Sequence, residues 1–201
     1  MDNLSDNELM MMAKEGSEEA FAMVVDRHKA GVTGFIFRMV GNQEDAIDLA
    51  QESFVRIFMA IGRYRSDHAF STYLYRIASN LAISELRKRK RRRLMSLTWI
   101  TGGDAGGEEF EIPIPSTDRG PEGHALDDER RAVIESAILS LPERYRAPIV
   151  LRDINDLSYE EISEALGLGI GTTKSRISRA RAMLRERLSD YIGMDSNGKK
   201  N

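Results

Sequence analysis

The sequence predicts an all-α protein of two small helical domains joined by a flexible acidic linker, with a helix-turn-helix in the second domain. Apolar residues recur at spacings of three and four through most of the 201 residues. Charged residues make up 30% and aromatic residues 7%, which suits polar-faced helices better than sheets. Periodicity is lost where glycine, proline and acids concentrate. The predicted boundaries are residues 1–93 (first domain), 94–124 (linker), 125–193 (second domain) and 194–201 (tail).

The first domain reads as four helices with recognisable ends. We expect Ser5 to cap the first helix, Gly41 to end the second and Glu44 to open the third. Phe70 and Ser71 read as the hydrophobic staple and cap of the fourth. The apolar residues predicted to face inward on the third helix are Ala46, Ile47, Ala50, Phe54, Ile57, Phe58 and Ile61.

The net charge of −3 hides strong segregation of charge along the chain. Residues 87–93 form an unbroken run of seven basic residues that continues the fourth helix, whereas nine acids between residues 104 and 129 face only Arg119. Such alternation indicates a nucleic-acid binder whose overall isoelectric point is uninformative. The basic run by itself is equally compatible with a solvated tail or an anionic membrane surface.

Composition argues against several other classes of protein. The chain has no cysteine, which excludes disulfides and thiolate metal sites, and its three histidines lack helical ligand spacing. The sequence shows no metal cluster, no phosphate loop and no nucleophile–base pair, so it does not support an enzyme that acts on nucleic acid. We expect neither a metal nor a cofactor. No apolar run approaches a membrane span and the acidic N-terminus is not a signal peptide, so a cytoplasmic protein is expected.

In the second domain, a helix is predicted to start at Pro142, with Pro148 bending it from inside. Residues 158–187 then read as two short helices joined by a glycine turn. Ser158 and Glu161 form a capping box, and Gly167 supplies the positive φ that ends the first of these helices. Either Gly171 or Thr172 is expected to cap the second of these helices. The residues of that helix predicted to face inward are Ile177, Ala180 and Leu184.

The opposite face of that second helix, here called the recognition face, consists of Lys174, Ser175, Ser178 and Arg179. A helix of this kind can lie in the major groove with its arginines on phosphates. The competing interpretation is a helical hairpin with an ordinary solvated basic face. Residues 167–175 also imitate a phosphate loop, but Thr173 stands where that motif needs glycine, and a capped helix rather than a strand precedes it.

Two features of the first domain carry possible chemistry. Tyr64, Tyr73 and Tyr75 lie close in sequence to Arg76 and Asn80, so an unpaired base could stack on Tyr64 or Tyr73 while Asn80 reads its edge. The alternative is that the tyrosines merely cover a helical bundle. The third helix presents acids one turn apart on its outer face, which is either an ordinary polar face or a docking surface for a basic protein partner.

Taken together, four segments resemble the extracytoplasmic-function (ECF) group of bacterial RNA polymerase sigma factors. They follow the order and separation typical of the group and cover nearly everything except the termini and linker. The segments are DAIDLAQESF (residues 45–54), FSTYLYRIASNLAISELRKRKRR (70–92), LPERYRAPIVLRDINDLSYEEISEALG (141–167) and GTTKSRISRARAMLR (171–185).

The resemblance implies a factor that binds core RNA polymerase, directs it to −35 and −10 promoter elements and promotes promoter melting. The residues implied for the β′ clamp helices are Asp45, Asp48, Gln51 and Glu52. Those implied for the non-template strand of the −10 element are Tyr64, Arg65, Ser66, Asp67, His68, Phe70, Tyr73, Arg76, Asn80, Ser84, Arg87 and Lys88. Those implied for the −35 element are Thr172, Lys174, Ser175, Arg176, Ser178, Arg179 and Arg181.

The resemblance also implies partners, and the sequence departs from the family pattern in places. The second domain would sit on the β flap, the linker would thread towards the active-site and RNA-exit channels, and an anti-sigma factor would restrain a protein that is monomeric when free. Tyr73 stands where many members have tryptophan, and Thr173 replaces a usual valine, so its hydroxyl is expected to bond back to a carbonyl. The competing function is a stand-alone regulator that uses only the helix-turn-helix and binds a palindrome as a dimer.

Overall fold

The computed structural model describes the backbone of residues 3–101 and 125–197 and the side chains of residues 3–95 and 129–189. Within these ranges the chain is helical apart from short turns. A 3₁₀ turn, Ile61–Arg63, separates the third and fourth helices. The helices are α1 (Asp6–Lys14), α2 (Glu18–Val40), α3 (Gln43–Met59), α4 (Phe70–Thr101), α5 (Ala125–Leu139), α6 (Glu143–Asp153), α7 (Tyr159–Leu166) and α8 (Ile170–Asn197).

Side-chain caps set the starts of the first three helices. The Ser5 hydroxyl accepts from the Glu8 amide in a complete capping box, as predicted, while Ser17 and Asn42 cap α2 and α3 in the same way. Gly41, at φ 71°, ends α2 in the left-handed conformation that glycine adopts without steric cost. The tight turn at Gly41 lets α3 fold back on α2, which also packs against α1 and α4.

Two details of the first domain differ from the prediction. Phe70 is the first residue of α4 rather than a staple before it, because its ring is buried against His28 and Tyr64, and Ser71 therefore lies inside the first turn. Ile47 and Phe58 were expected in the core but are 41% and 48% exposed. α3 packs mainly on α2 and α4, and residues at the edge of its apolar face stay in solvent.

The basic run continues α4 without a break, as predicted, but α4 extends further than expected, to Thr101. Leu94, Met95 and Leu97 favour helix, which agrees with continuation into the segment assigned to the linker. The remainder of that linker, residues 102–124, and the end of the tail lie outside the described residues.

The second domain is a four-helix unit in which α8 packs against α5, α6 and α7. Pro142 is the N-cap of α6 rather than its first helical residue. Pro148 does lie inside α6, where it is buried beside Ile149 and Val150. A side-chain clamp closes the α5–α6 turn, because Arg146 donates hydrogen bonds to the carbonyl oxygens of Leu139 and Leu141.

The two domains pack against one another, which the sequence did not indicate. α2 contacts α5 and α6, and α4 contacts α7. Arg38 forms an ion pair with Glu135 at 2.5 Å, and the Asn155 amide donates to the Tyr75 hydroxyl at 2.7 Å. Arg146 spans the boundary, since it also donates to the Met39 carbonyl oxygen at 2.6 Å. The second domain is therefore anchored on the C-terminal half of α2.

We expect Arg146→Met to destabilise the protein by about 2–3 kcal/mol, because three buried carbonyl oxygens lose a charged donor while the apolar stem is kept. Urea denaturation followed by circular dichroism measures this change. The matched control, Arg185→Met on the exposed face of α8, should stay within about 0.5 kcal/mol of wild type. Equal stability of the two variants would contradict the clamp.

Candidate nucleic-acid and polymerase interface

The helix-turn-helix forms from α7 and α8. Ser158 and Glu161 make the predicted capping box at the start of α7, and Gly167 ends it at φ 64°. Ile162 of α7 and Ile177 of α8 are fully or almost fully buried between the helices. This arrangement fixes which side of α8 is left for a ligand.

Thr173 joins the two helices through its hydroxyl. The side chain is fully buried, its Oγ1 lies 2.8 Å from Ser163 Oγ, and it donates to the Gly169 carbonyl oxygen at 3.3 Å. The predicted bond back to a carbonyl is therefore confirmed. The Ser163 hydroxyl also reaches the Tyr159 carbonyl oxygen at 2.7 Å, which leaves no buried hydroxyl of this pair without a partner.

α8 begins earlier than predicted, so neither Gly171 nor Thr172 is its cap. The first helical residue is Ile170, and the Thr173 amide donates to the Gly169 carbonyl oxygen. The turn between the two helices consists of Gly167, Leu168 and Gly169, and the early start of α8 places Thr172 in the first turn of the helix.

The recognition face is exposed along its whole length. Lys174, Ser175, Ser178 and Arg179 all reach solvent. The Lys174 ammonium also lies 5.6 Å from the Tyr159 ring centroid, an arrangement that holds it over the start of α7. Of the other residues assigned to the −35 element, Thr172 and Arg181 are exposed and Arg176 is half-buried.

Two arginines of α8 already have partners within the protein. Arg181 binds the carboxylate of Asp153 with two nitrogens, at 2.6 and 3.0 Å, which raises the pKa of its guanidinium and ties α8 to α6. Arg179 lies beside Tyr145, and its hydrogen bond lowers the pKa of that phenol. Arg181 thus has a structural role that its sequence position did not reveal.

The surface assigned to the −10 element combines one loop with one face of α4. Within the loop, the side chains of Arg65, Ser66, Asp67 and His68 are exposed. The α4 face repeats at spacings of three and four, and Tyr73 lies at its start, half-buried. The exposed residues of the α4 face are Arg76, Asn80, Ser84, Arg87 and Lys88.

Tyr64 and Phe70 are placed differently from the rest of that surface. They are 5% and 2% exposed, and Tyr64 packs beneath Tyr73 with ring centroids 5.9 Å apart. Burial raises the pKa of Tyr64 to about 12. Of the two tyrosines proposed as stacking platforms, only Tyr73 therefore offers part of its ring to solvent.

The acidic face of α3 comprises Asp45, Asp48, Gln51 and Glu52. Asp48, Gln51 and Glu52 are exposed, and Glu52 pairs with Arg56 one turn further on at 2.6 Å. Asp45 is instead half-buried and ion-paired with Arg89 of the basic run, which also donates to the Val40 carbonyl oxygen at 2.6 Å. Asp45 thereby helps to hold α4 against the α2–α3 turn.

Sequence reasoning missed an apolar patch beside this acidic face. Val55, Phe58 and Met59 are 55%, 48% and 83% exposed, and Phe58 packs on Phe21 with ring centroids 5.0 Å apart. Positions 48, 52, 55 and 59 follow one another at spacings of four, three and four, so Val55 and Met59 extend the stripe that begins with Asp48 and Glu52. This spacing is the sequence signal from which the apolar patch could have been predicted. A contiguous exposed apolar patch of this kind is typical of a protein-binding surface.

Other kinds of site can be judged only over the described residues. There, no group of three histidine, aspartate or glutamate side chains is placed to hold a metal ion. Within the same ranges, no helix is both long and apolar enough to cross a membrane.

Comparisons with known proteins agree with this geometry. The family described as Sigma-70 region 2 matches residues 24–92, and Sigma-70 region 4 matches residues 131–184. The chain is 38% identical to the ECF RNA polymerase sigma factor SigW of Bacillus subtilis, over 88% of this chain and 93% of that one. It is 36% identical to the RNA polymerase sigma-H factor of Pseudomonas aeruginosa, over 93% of this chain and 95% of that one.

Solved structures show the same fold. CnrH, in complex with the cytosolic domain of CnrY, matches with a TM-score of 0.67 and 25% identity over 92% of this chain and 97% of that one. RpoE of Bartonella quintana, in complex with the anti-sigma factor NepR, matches with a TM-score of 0.66 and 24% identity over 84% of this chain and 96% of that one. The chain belongs to the extracytoplasmic-function group of sigma-70 factors.

A pair of glycine variants tests the geometry of the turn. Gly167→Ala should destabilise the protein by about 1–2 kcal/mol, because alanine is strained at positive φ even though nothing lies within 4 Å of a Cβ added there. Gly171→Ala, inside the first turn of α8 and equally unobstructed, should stabilise it by about 0.5–1 kcal/mol. Thermal denaturation measures both, and shifts of the same sign would contradict the assigned turn.

Proposed function

We propose that this protein is a sigma factor that binds core RNA polymerase, directs it to promoters through −35 and −10 elements, and promotes promoter melting. The observation that carries the proposal is the presence of both sigma regions, in order, on one folded chain. Each region presents an exposed basic surface, and an acidic and apolar docking surface lies beside one of them. The polymerase supplies the catalysis, and the sigma factor is proposed to have none of its own.

The second domain, residues 125–193, is proposed to sit on the β flap and to read the −35 element. The recognition face and the adjoining first turn of α8 would enter the major groove, where ammonium, hydroxyl and guanidinium groups can bond to base edges. Ser178 is small, so readout near it is proposed to include water. Arg176 and Arg181 would contact phosphates at the margin, which positions the helix without reading sequence.

The first domain, residues 1–93, is proposed to capture the non-template strand of the −10 element. The exposed loop residues and the α4 face form a basic track, and the exposed part of Tyr73 gives a base a surface to stack on. Tyr64 and Phe70 are proposed to act from below, by supporting Tyr73 and the loop. The rest of the basic run would continue the track along the backbone.

Polymerase binding is proposed for the exposed part of the acidic face together with the apolar patch. Asp48, Gln51 and Glu52 would meet basic side chains of the β′ clamp helices, while Val55 and Met59 would pack on their aliphatic parts. Such an interface has apolar contacts for affinity and charges for orientation. Asp45 is proposed to contribute through its pair with Arg89.

Regulation is proposed to act through a protein partner. RpoE of Bartonella quintana was solved in complex with the anti-sigma factor NepR, and CnrH with a domain of another protein, CnrY, which supports an anti-sigma factor for this chain as well. A monomeric free state is proposed, with action in the cytoplasm alongside polymerase.

Run-off transcription with purified core polymerase on a library of promoter fragments tests the proposed function. We expect initiation that depends on this protein and maps to fragments sharing one −35/−10 pair. Specific binding to a palindrome by a dimer of the protein alone, without initiation, would instead establish a stand-alone regulator.

Arg179→Ala should weaken discrimination among −35 variants by about 1–3 kcal/mol, as expected for loss of a bidentate contact to guanine. Arg181→Ala is the matched control two residues away. Because Arg181 is proposed to contact a phosphate rather than a base, its loss should weaken binding to all sequences alike. Competition binding of the holoenzyme to −35 variants measures both, and unchanged discrimination by Arg179→Ala would refute its role.

Asn80→Ala should slow promoter opening by about tenfold, because a base-edge contact worth about 1.4 kcal/mol is lost after DNA has bound. Its affinity for core polymerase should not change. Glu52→Lys should show the opposite pattern. Its affinity for core polymerase should fall, while the complexes that do form should still open the promoter. Permanganate reactivity of the −10 region and core-binding titrations separate the two effects, and loss of core binding by Asn80→Ala would contradict the assignment.

A further inference from the structure

The loop that carries the exposed −10 residues is held at both ends by one side chain of α1. Asn7 Oδ1 accepts from the Tyr64 hydroxyl at 2.6 Å, and Asn7 Nδ2 donates to the His68 carbonyl oxygen at 3.1 Å. Tyr64 is the first residue of the loop between the 3₁₀ turn and α4, and His68 lies at its other end, next to Ala69 and the start of α4. A single amide therefore fixes the distance between the two ends of the loop.

Lys14, at the other end of α1, supports the same loop. Its ammonium donates to the Tyr64 carbonyl oxygen at 2.9 Å. Tyr64 is thus bound to α1 through both its hydroxyl and its main chain, and its buried ring fixes the side chain between them.

α1 is itself firmly attached, so it can act as a fixed support. Its start is closed by the Ser5–Glu8 capping box. Asp6 binds two residues of α2, Arg27 at 3.0 Å and His28 at 2.5 Å. Leu9 and Met10 are fully buried beneath it. The chain of contacts therefore runs from α2 through α1 to the loop.

Between its fixed ends the loop presents only exposed polar groups. Arg65 and Asp67 form an ion pair at 3.0 Å across the tip, with side chains 80% and 57% exposed. On the other side the exposed His68 ring reaches the second domain, where its Nδ1 lies 3.0 Å from Glu164 Oε2. Support of the main chain comes from α1, and the tip is left for a ligand.

We propose that Asn7 and Lys14 are positioning residues for the −10 element: they hold loop 64–68 in the conformation that receives the non-template strand. The proposal rests on the proposed sigma function. Neither residue touches DNA. Ordering a loop costs conformational entropy, and a loop ordered before binding does not incur that cost when the strand arrives. Loss of either support should therefore slow strand capture more than it affects the rest of the protein.

The test uses the full chain in holoenzyme on a promoter that the wild type opens. Asn7→Ala removes both bonds, and we expect promoter opening about tenfold slower, the effect of one to two net hydrogen bonds. Binding to core polymerase should be unchanged, and transcription from the same promoter with a pre-opened −10 bubble should be close to wild type. Asn3→Ala, an exposed asparagine just before α1, is the matched control and should open the promoter normally.

Two further variants separate the bonds. Asn7→Asp keeps the acceptor for Tyr64 and loses the donor to His68, so its opening rate should fall between wild type and Asn7→Ala. Tyr64→Phe removes only the hydroxyl, and its effect should not add fully to that of Asn7→Ala, because both act on one bond.

Each outcome has a distinct meaning. If Asn7→Ala and Asn3→Ala open duplex promoter at equal rates while the wild type is active, the inference is wrong and the sigma function stands. If Asn7→Ala loses core binding and bubble transcription as well, Asn7 has only a general structural role and the inference is overturned. If wild-type protein opens no promoter with core polymerase, it is the proposed function that fails.

Discussion

The burial of α2 on two sides is the constraint on which the rest of the structure depends. Towards the first domain it packs against α1, α3 and α4, and towards the second against α5 and α6. Val32, Phe35, Ile36 and Met39 are fully buried along its C-terminal half. Because α2 serves both domains, the surfaces proposed for polymerase, the −10 element and the −35 element are all built around one helix.

The contact between the domains includes several polar side chains. It relies on the Arg38–Glu135 pair, the Asn155–Tyr75 bond and the reach of Arg146 to Met39. Arg38 Nε, Glu135 Oε2 and Asn155 Oδ1 are buried there without a protein partner. Buried polar atoms of this kind cost free energy, and polar contacts of modest size are typical of domains that move relative to one another. Buried apolar residues of the two domains nevertheless form one continuous cluster, so the polar contacts lie beside apolar packing. Tethering two such DNA-binding units raises the effective concentration of each at its element without any new contact.

Local sequence signals predicted the helices and most of their ends because the relevant chemistry lies within a few residues. Ser5 and Ser158 cap as expected, and Gly41 and Gly167 take the left-handed conformation at the ends of their helices. The predicted core of α3 failed at Ile47 and Phe58 because periodicity gives a face but not how much of it a neighbour covers. The start of α8 was misplaced by two or three residues, since several glycines offered possible ends.

Contacts between residues distant in sequence could not be predicted. Asn7 reaches Tyr64 and His68 across 57 and 61 positions, and Arg146 reaches Met39 across 107. Nothing in the local pattern marks Asn7, which sits in an ordinary first turn, and the same holds for the bond between Arg181 and Asp153. The residues assigned to DNA and polymerase came from motifs, and the structure adds which of them are exposed and which are held by protein partners.

The measurement that tests the central claim most directly follows base unpairing in real time. A fluorescent base analogue in the non-template strand of the −10 element would be monitored with the protein alone, with core polymerase alone and with both together. The account predicts a signal only when both are present, on promoters that carry matching −35 and −10 elements. A signal from the protein alone, or none from the combination on any such promoter, would contradict it.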